Sequence, residues 1–239
     1  MGNLRLAWAV GGAAMAVLAA VTGGLAAEDA VSAKLDQSGA ATISRGGVEL
    51  GVIELNAHGP QWKHAPQATG AAQVSDLPDQ AGKRFVGTLP IPNTDGGALR
   101  YIESVKTLPR GLQLEYDVVP TKGMKLNGLQ FSLCLPVAVY AGKEVAVSRA
   151  EGEPDIIGFP TDQPFNGWGG EAARLEVARN APEAITLDLR AAADVMMQDL
   201  RKWERPVYEI RLPAISDDQG RDVTADDRFH LDLTVTFAG

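Results

Sequence analysis

Leu112, Leu114, Tyr116 and Val118 alternate with Gln113, Glu115 and Asp117, a period of two that predicts a strand with one apolar and one wet face. Leu129, Phe131, Leu133 and Leu135 repeat the pattern against Gln130, Ser132 and Cys134. Tyr101 to Leu108 supplies a third run. Pro109-Arg110-Gly111 and Pro120-Thr121-Lys122-Gly123 separate the three; proline presets one backbone angle of a turn and glycine accepts a positive one. The stretch from Leu99 to Pro136 is therefore expected to form a three-stranded antiparallel meander.

The same alternation runs unbroken from Phe229 to Phe237. Shorter runs predict strands over Phe85 to Ile91, Ala173 to Ala178, Ile185 to Leu189 and Val207 to Leu212. Ala41 to Ser44 and Val48 to Leu55 flank Arg45-Gly46-Gly47, which predicts a hairpin because paired glycines supply the positive angles of a tight turn. Residues 191–203 fit either a strand or a helical face built from Val195, Met196, Leu200 and Trp203. Two segments lack periodicity. Residues 56–84 read as a long loop, and residues 149–171 carry Pro154, Pro160 and Pro164, which exclude a central strand or a helix. Many short strands with glycine and proline turns indicate an all-β protein, an antiparallel β-sandwich of jelly-roll type, forming a single domain over residues 28–239.

The first residues read differently. Arg5 precedes an uncharged apolar run from Leu6 to Val21, then small residues to Ala27 and the acidic pair Glu28-Asp29. This is the pattern of a secretory signal peptide over residues 1–27, cleaved after Ala26 or Ala27; the alternative is an uncleaved anchor. A secreted or periplasmic location is expected. The formal net charge of −8, scattered rather than blocked, argues against nucleic acid or an anionic membrane as partner. Cys134 is the single cysteine, so no intrachain disulfide forms, and its place in an alternating strand suits a small packed side chain.

Chemical signatures are sparse. The chain has no G-x-S-x-G, no H-E-x-x-H and no paired C-x-x-C, so no nucleophile elbow or zinc site is expected, and no metal or cofactor. Asp217 to Asp222 reads as a turn rather than a calcium loop. The tryptophans are more suggestive, because sugar C–H faces lie on aromatic rings while hydroxyls bond to polar neighbours. Trp62 lies between His58 and His64 in the first irregular segment. Asn166 and Trp168 share the second with Glu151, Glu153 and Asp155. These eight are the candidate ligand-binding residues, and Trp203 reads as an end plug.

The elements G-L-Q-L-E-Y (111–116), L-N-G-L-Q-F-S-L-C-L-P (126–136) and Y-A-G-K-E-V (140–145) carry a resemblance, as do V-M-M-Q-D-L-R-K-W (195–203) and Y-E-I-R-L (208–212). Over Phe85 to Leu212 the chain resembles the non-catalytic β-sandwich domain that precedes the barrel in large bacterial glycoside hydrolase-like proteins. The resemblance implies a strand over 193–201, and Asp199 and Arg201 as a structural pair at its end. The chain departs from those proteins in one respect: it is expected to stop after the sandwich, without the barrel that carries the catalytic carboxylates. The expected function is a secreted or periplasmic, non-catalytic sandwich that binds or handles a polysaccharide or oligosaccharide. The alternatives are a glycan-acting hydrolase or lyase using Glu151, Glu153 or Asp155, and an envelope adaptor that meets a protein partner through a strand edge.

Overall fold

The structure, a computed structural model, describes residues 30–79, 81–162 and 167–238. The expected signal peptide and Asn166 lie outside the described residues. Strands β1 (Val31–Leu35), β2 (Ala41–Arg45), β3 (Val48–Gly59), β4 (Lys63–Pro66) and β5 (Ala71–Asp76) come first. They are followed by β6 (Gly82–Pro90), β7 (Ala98–Leu108), β8 (Gly111–Pro120) and β9 (Met124–Pro136). A single helical turn, Val137–Tyr140, leads to β10 (Glu144–Ser148), β11 (Asp155–Gly158) and β12 (Trp168–Val177). The chain closes with β13 (Ile185–Asp199), β14 (Val207–Val223) and β15 (Phe229–Phe237).

All pairings are antiparallel, and one hydrogen-bonded path runs β1-β2-β3-β9-β14-β13-β15-β8-β7-β6-β5. β4 adds to β3, and β10 to β12 branch from β13. The all-β architecture follows from the alternation. The β2–β3 hairpin falls at its expected turn, with φ of 55° at Gly46 and 79° at Gly47, the two positive angles of a type I′ turn.

The meander forms only in part. β7 and β8 pair as a hairpin, but β9 pairs with β3 and β14, whereas β8 pairs with β15. The sheet curls so that β8 faces β9 across the core, and Tyr116 meets Phe131 edge to face with ring centroids 5.6 Å apart. Alternation reports which side chains share an apolar face. It does not distinguish two faces side by side in a sheet from two faces opposed across a core.

Residues 56–84 are not one long loop. β3 continues to Gly59, turns back as β4, and β5 pairs with β6. The strands there were hidden because β4 and β5 are exposed edges with few apolar residues, while the inward end of β3 carries Asn56 and His58. Residues 191–203 resolve into strand to Asp199 and a 3-10 turn over Leu200–Trp203. The implied strand ends two residues early, and the implied pair is present: Arg201 Nη2 lies 2.6 Å from Asp199 Oδ2. One apolar core joins the layers, with Tyr101, Tyr116, Tyr140, Tyr208 and Phe85 among its largest members. Cys134 is buried, and burial pushes its thiol up to about 12, which leaves an inert packed side chain.

Candidate functional site

The site rests on the face of the central strands opposite the core. Directly paired residues project to the same side of a sheet, and the register sets Glu54 of β3 beside Ser132 of β9, and Ser132 beside Arg211 of β14. Asn56 pairs with Gln130, and Glu209 lies between Cys134 and Gln198 of β13. Odd-numbered neighbours on β3 and β9, such as Ile53, Leu55, Phe131 and Leu133, fill the core instead. The polar face is nonetheless sheltered: Glu54 is 8 % exposed, Ser132 0 % and Glu209 2 %.

Buried polar groups require partners, and most are bonded. Ser132 Oγ donates to Glu209 Oε1 at 2.7 Å, and Arg211 Nε donates to Glu209 Oε2 at 2.6 Å. Asn56 Nδ2 donates to Glu54 Oε1 at 3.2 Å. That orientation leaves Asn56 Oδ1 to accept from His64 Nε2 at 2.6 Å, so the His64 proton sits on Nε2.

The β3–β4 hairpin builds one wall. His58 and His64 are cross-strand partners, their rings stacked with centroids 5.1 Å apart, and Trp62 meets His58 edge-on at 5.3 Å. The turn between them places Gln61 at φ 64° and Trp62 at φ 56°, a left-handed conformation costing roughly 1–2 kcal/mol for each non-glycine residue. External bonds hold it. Asn93 Nδ2 donates to the Pro60 carbonyl at 3.1 Å, and Trp62 Nε1 donates to Asp218 Oδ1 at 3.2 Å. Asp218 lies where the β14 register shifts between Ser216 and Arg221, and the Asn127 amide clamps that bulge by donating to the carbonyls of Asp217 and Asp218.

Facing this wall is the turn after β13, which carries Lys202, Trp203 and Arg205. Together the two walls and the floor of Gln198, Glu209 and Arg211 enclose a cleft of about 580 Å³. Burial and the nearby His64 and Arg211 charges push His58 down to about 4, against a small opposing effect of Gln130. Its Nδ1 is buried without a hydrogen-bond partner. Burial and the Arg205 charge also lower His64. Burial raises Glu54, partly offset by Asn56. Both imidazoles are thus neutral at pH 7 and offer a base beside an arginine-anchored carboxylate.

Of the residues expected from sequence, the structure brings His58, Trp62 and His64 into this cleft. Glu151 and Glu153 stand exposed between β10 and β11. Asp155 begins β11 and pairs with Arg149 at 2.5 Å. Trp168 opens β12 opposite Met197 and packs against the core. None of these four lines the cleft. Gln198, Lys202, Arg205, Glu209, Arg211 and Asp218 were not anticipated. Trp203, read as a plug, is 54 % exposed and lines the cleft. The available signal was the charged face of 207–212: Glu209 and Arg211 alternate with core residues, which ordinarily denotes the solvent side. Among the described residues one cluster, Glu115, Asp117 and His230, groups three metal-ligating atoms; it is exposed on β8 and β15, away from the cleft.

The chain shares its fold with solved structures of low sequence identity. A galactose mutarotase-like protein from Lactobacillus casei superposes with a TM-score of 0.55 at 13 % identity, over 87 % of this chain and 97 % of that one. A 4-alpha-glucanotransferase from Thermococcus litoralis gives 0.52 at 11 % identity, over 87 % of this chain and 36 % of that one. An alpha-mannosidase from Enterococcus faecalis gives 0.50 at 11 %, over 87 % of this chain and 28 % of that one. The chain thus spans about a third of each of these two enzymes or less. No family model and no curated sequence matches it.

Proposed function

We propose that the protein binds a saccharide in the cleft between the β3–β4 hairpin and the turn after β13. The observation that carries this reading is the pairing of two accessible indoles, Trp62 and Trp203, with a hydrogen-bonding floor of Gln198, Glu209 and Arg211 in one concavity. Indole faces suit sugar C–H surfaces, and convergent donors and acceptors suit hydroxyls. The names of the solved neighbours, a mutarotase-like protein and two carbohydrate enzymes, support it. A glycan array with the exported form of the chain tests it. Binding that Trp62→Ala weakens at least tenfold, with an unchanged melting temperature, is expected; no binding by the wild type overturns it. Export rests on the pattern of residues 1–27, and mass spectrometry of the secreted protein should find Ala27 or Glu28 at its N-terminus.

A second reading is favoured by one feature: His58 and His64 are both held neutral beside the buried Glu209. Groups of this kind move protons at a sugar's anomeric centre, in which case the cleft interconverts anomers rather than merely binding them. NMR of freshly dissolved aldoses decides: a rate of anomer exchange above buffer, lost in His58→Gln, establishes it.

A further inference from the structure

We propose that the cleft takes an acidic saccharide, with Arg205 and Lys202 receiving its carboxylate, phosphate or sulfate group. The inference rests on the reading of the cleft as a sugar site and names the class of sugar.

The charges of the cleft are unequally committed. Arg211 is bonded to Glu209, and Asp218 accepts from the Trp62 indole. Arg205 and Lys202 line the same cleft, both exposed, and neither has a carboxylate within ion-pair distance among the described residues. Glu204, between them in the chain, does not line it. With the imidazoles neutral, the lining carries one excess positive charge, although the whole chain carries −8. The positive spot is therefore a local feature, not part of a basic surface.

Arg205 lines the cleft and is exposed. Its charge acts on Glu54 and His58 of β3, His64 of β4 and Cys134 of β9, and of these the two histidines line the cleft with it. Lys202 lies with Nζ 3.8 Å from the Trp203 ring centroid, which holds the ammonium at the mouth. The backbone presenting both is pinned. Arg205 N donates to the Leu200 carbonyl at 3.1 Å and Glu204 N to that of Arg201 at 3.0 Å, and Asp199 caps the turn. From this pinned backbone the guanidinium offers its planar fork to a carboxylate or to an ester oxyanion, while the ammonium adds a point charge.

Calorimetry on the full chain tests the proposal with paired probes: a galacturonate trimer against a galactose trimer, and glucose 6-phosphate and glucose 6-sulfate against glucose. At least one acidic probe should bind tenfold or more tightly than its neutral counterpart, and the preferred pair identifies carboxylate or ester as the recognised group. Arg205→Gln with Lys202→Gln should abolish the preference, bringing each acidic probe to the affinity of its neutral counterpart, while the melting temperature stays unchanged. Equal or tighter binding of the neutral probes, dependent on Trp62, overturns this inference and leaves the sugar reading standing. A preference that survives the double substitution also overturns it. Failure of every probe to bind overturns both.

Discussion

The Tyr116 hydroxyl donates to Glu103 Oε1 at 2.6 Å inside the core, where Glu103 is completely buried. Gln67 Nε2 donates to the other carboxyl oxygen at 2.6 Å and also to the Ser38 carbonyl, while Gln67 Oε1 accepts from Leu55 N. This node ties β7, β8 and β3 to the β1–β2 turn on the side of the sheet away from the cleft. Burial pushes Glu103 up to about 8, even though both bonds favour its charged form. The folded protein therefore keeps a proton that the unfolded chain releases above about 4.5. That stability is complete below 4.5 and is lost as pH rises towards 8. Taken alone, this group lowers the melting temperature across that interval. Glu103→Gln, which cannot ionise, should flatten the profile while changing stability by less than about 1 kcal/mol at pH 5, because the amide offers one donor and one acceptor as the protonated carboxyl does.

His58 gives the opposite slope. Its folded value near 4 lies below the 6.5 of the unfolded chain, so the unfolded state binds the extra proton between those values. The contribution of about 3 kcal/mol is complete above pH 6.5 and is lost as pH falls to 4. Between about 4.5 and 6.5 it opposes the Glu103 term, so the net decline should be visible only above pH 6.5. Imidazole proton NMR, assigned with His58→Gln, should show His58 neutral down to about pH 4. The variant should lose the acid-side slope of the melting profile.

The contrast between these two groups shows what the sequence disclosed. Strand positions were legible wherever one face was apolar, as in 112–118 and 229–237. Partners were not, because the apolar faces of β8 and β9 oppose one another across the core. The cleft was half legible: His58, Trp62 and His64 stood out by residue type. Glu209 and Arg211 did not, because a charged alternate position normally faces water. Here the hairpin turn and the turn after β13 roof that face. Glu103 was hidden differently, as a single acid on the core face of β7 between Tyr101 and Val105.

Asp199 anchors the second wall. It is fully buried, its Oδ1 accepts from Arg201 N at 3.0 Å, and Arg201 in turn donates to the carbonyls of Thr161 and Pro160 at 2.7 and 3.0 Å. The end of β13 is thereby tied to the segment before β12. Asp199→Ala removes the carboxylate that caps the turn and bonds Arg201, and should cost about 1–3 kcal/mol in denaturant titration. A loss under 1 kcal/mol would show that the pair is ornamental to the fold.

Gly128 lies beneath the first wall and should matter more for ligand than for stability. A Cβ there would come 2.9 Å from His58 Nδ1, 3.1 Å from Trp62 Cζ3 and 3.1 Å from Gln130 Oε1. Its backbone is not left-handed, so Gly128→Ala carries no torsional strain, and the contacts are with side chains that border the open cleft. The neighbours yield by a few tenths of an ångström, so the stability loss should stay below about 1.5 kcal/mol. The indole and imidazole move together, because Trp62 meets the His58 ring edge-on. Sugar affinity should fall about tenfold, and tryptophan emission should shift in the free protein. Unchanged affinity alongside a shifted emission would mean that the sugar does not depend on this wall, and would move the contact surface to Trp203 and the turn after β13.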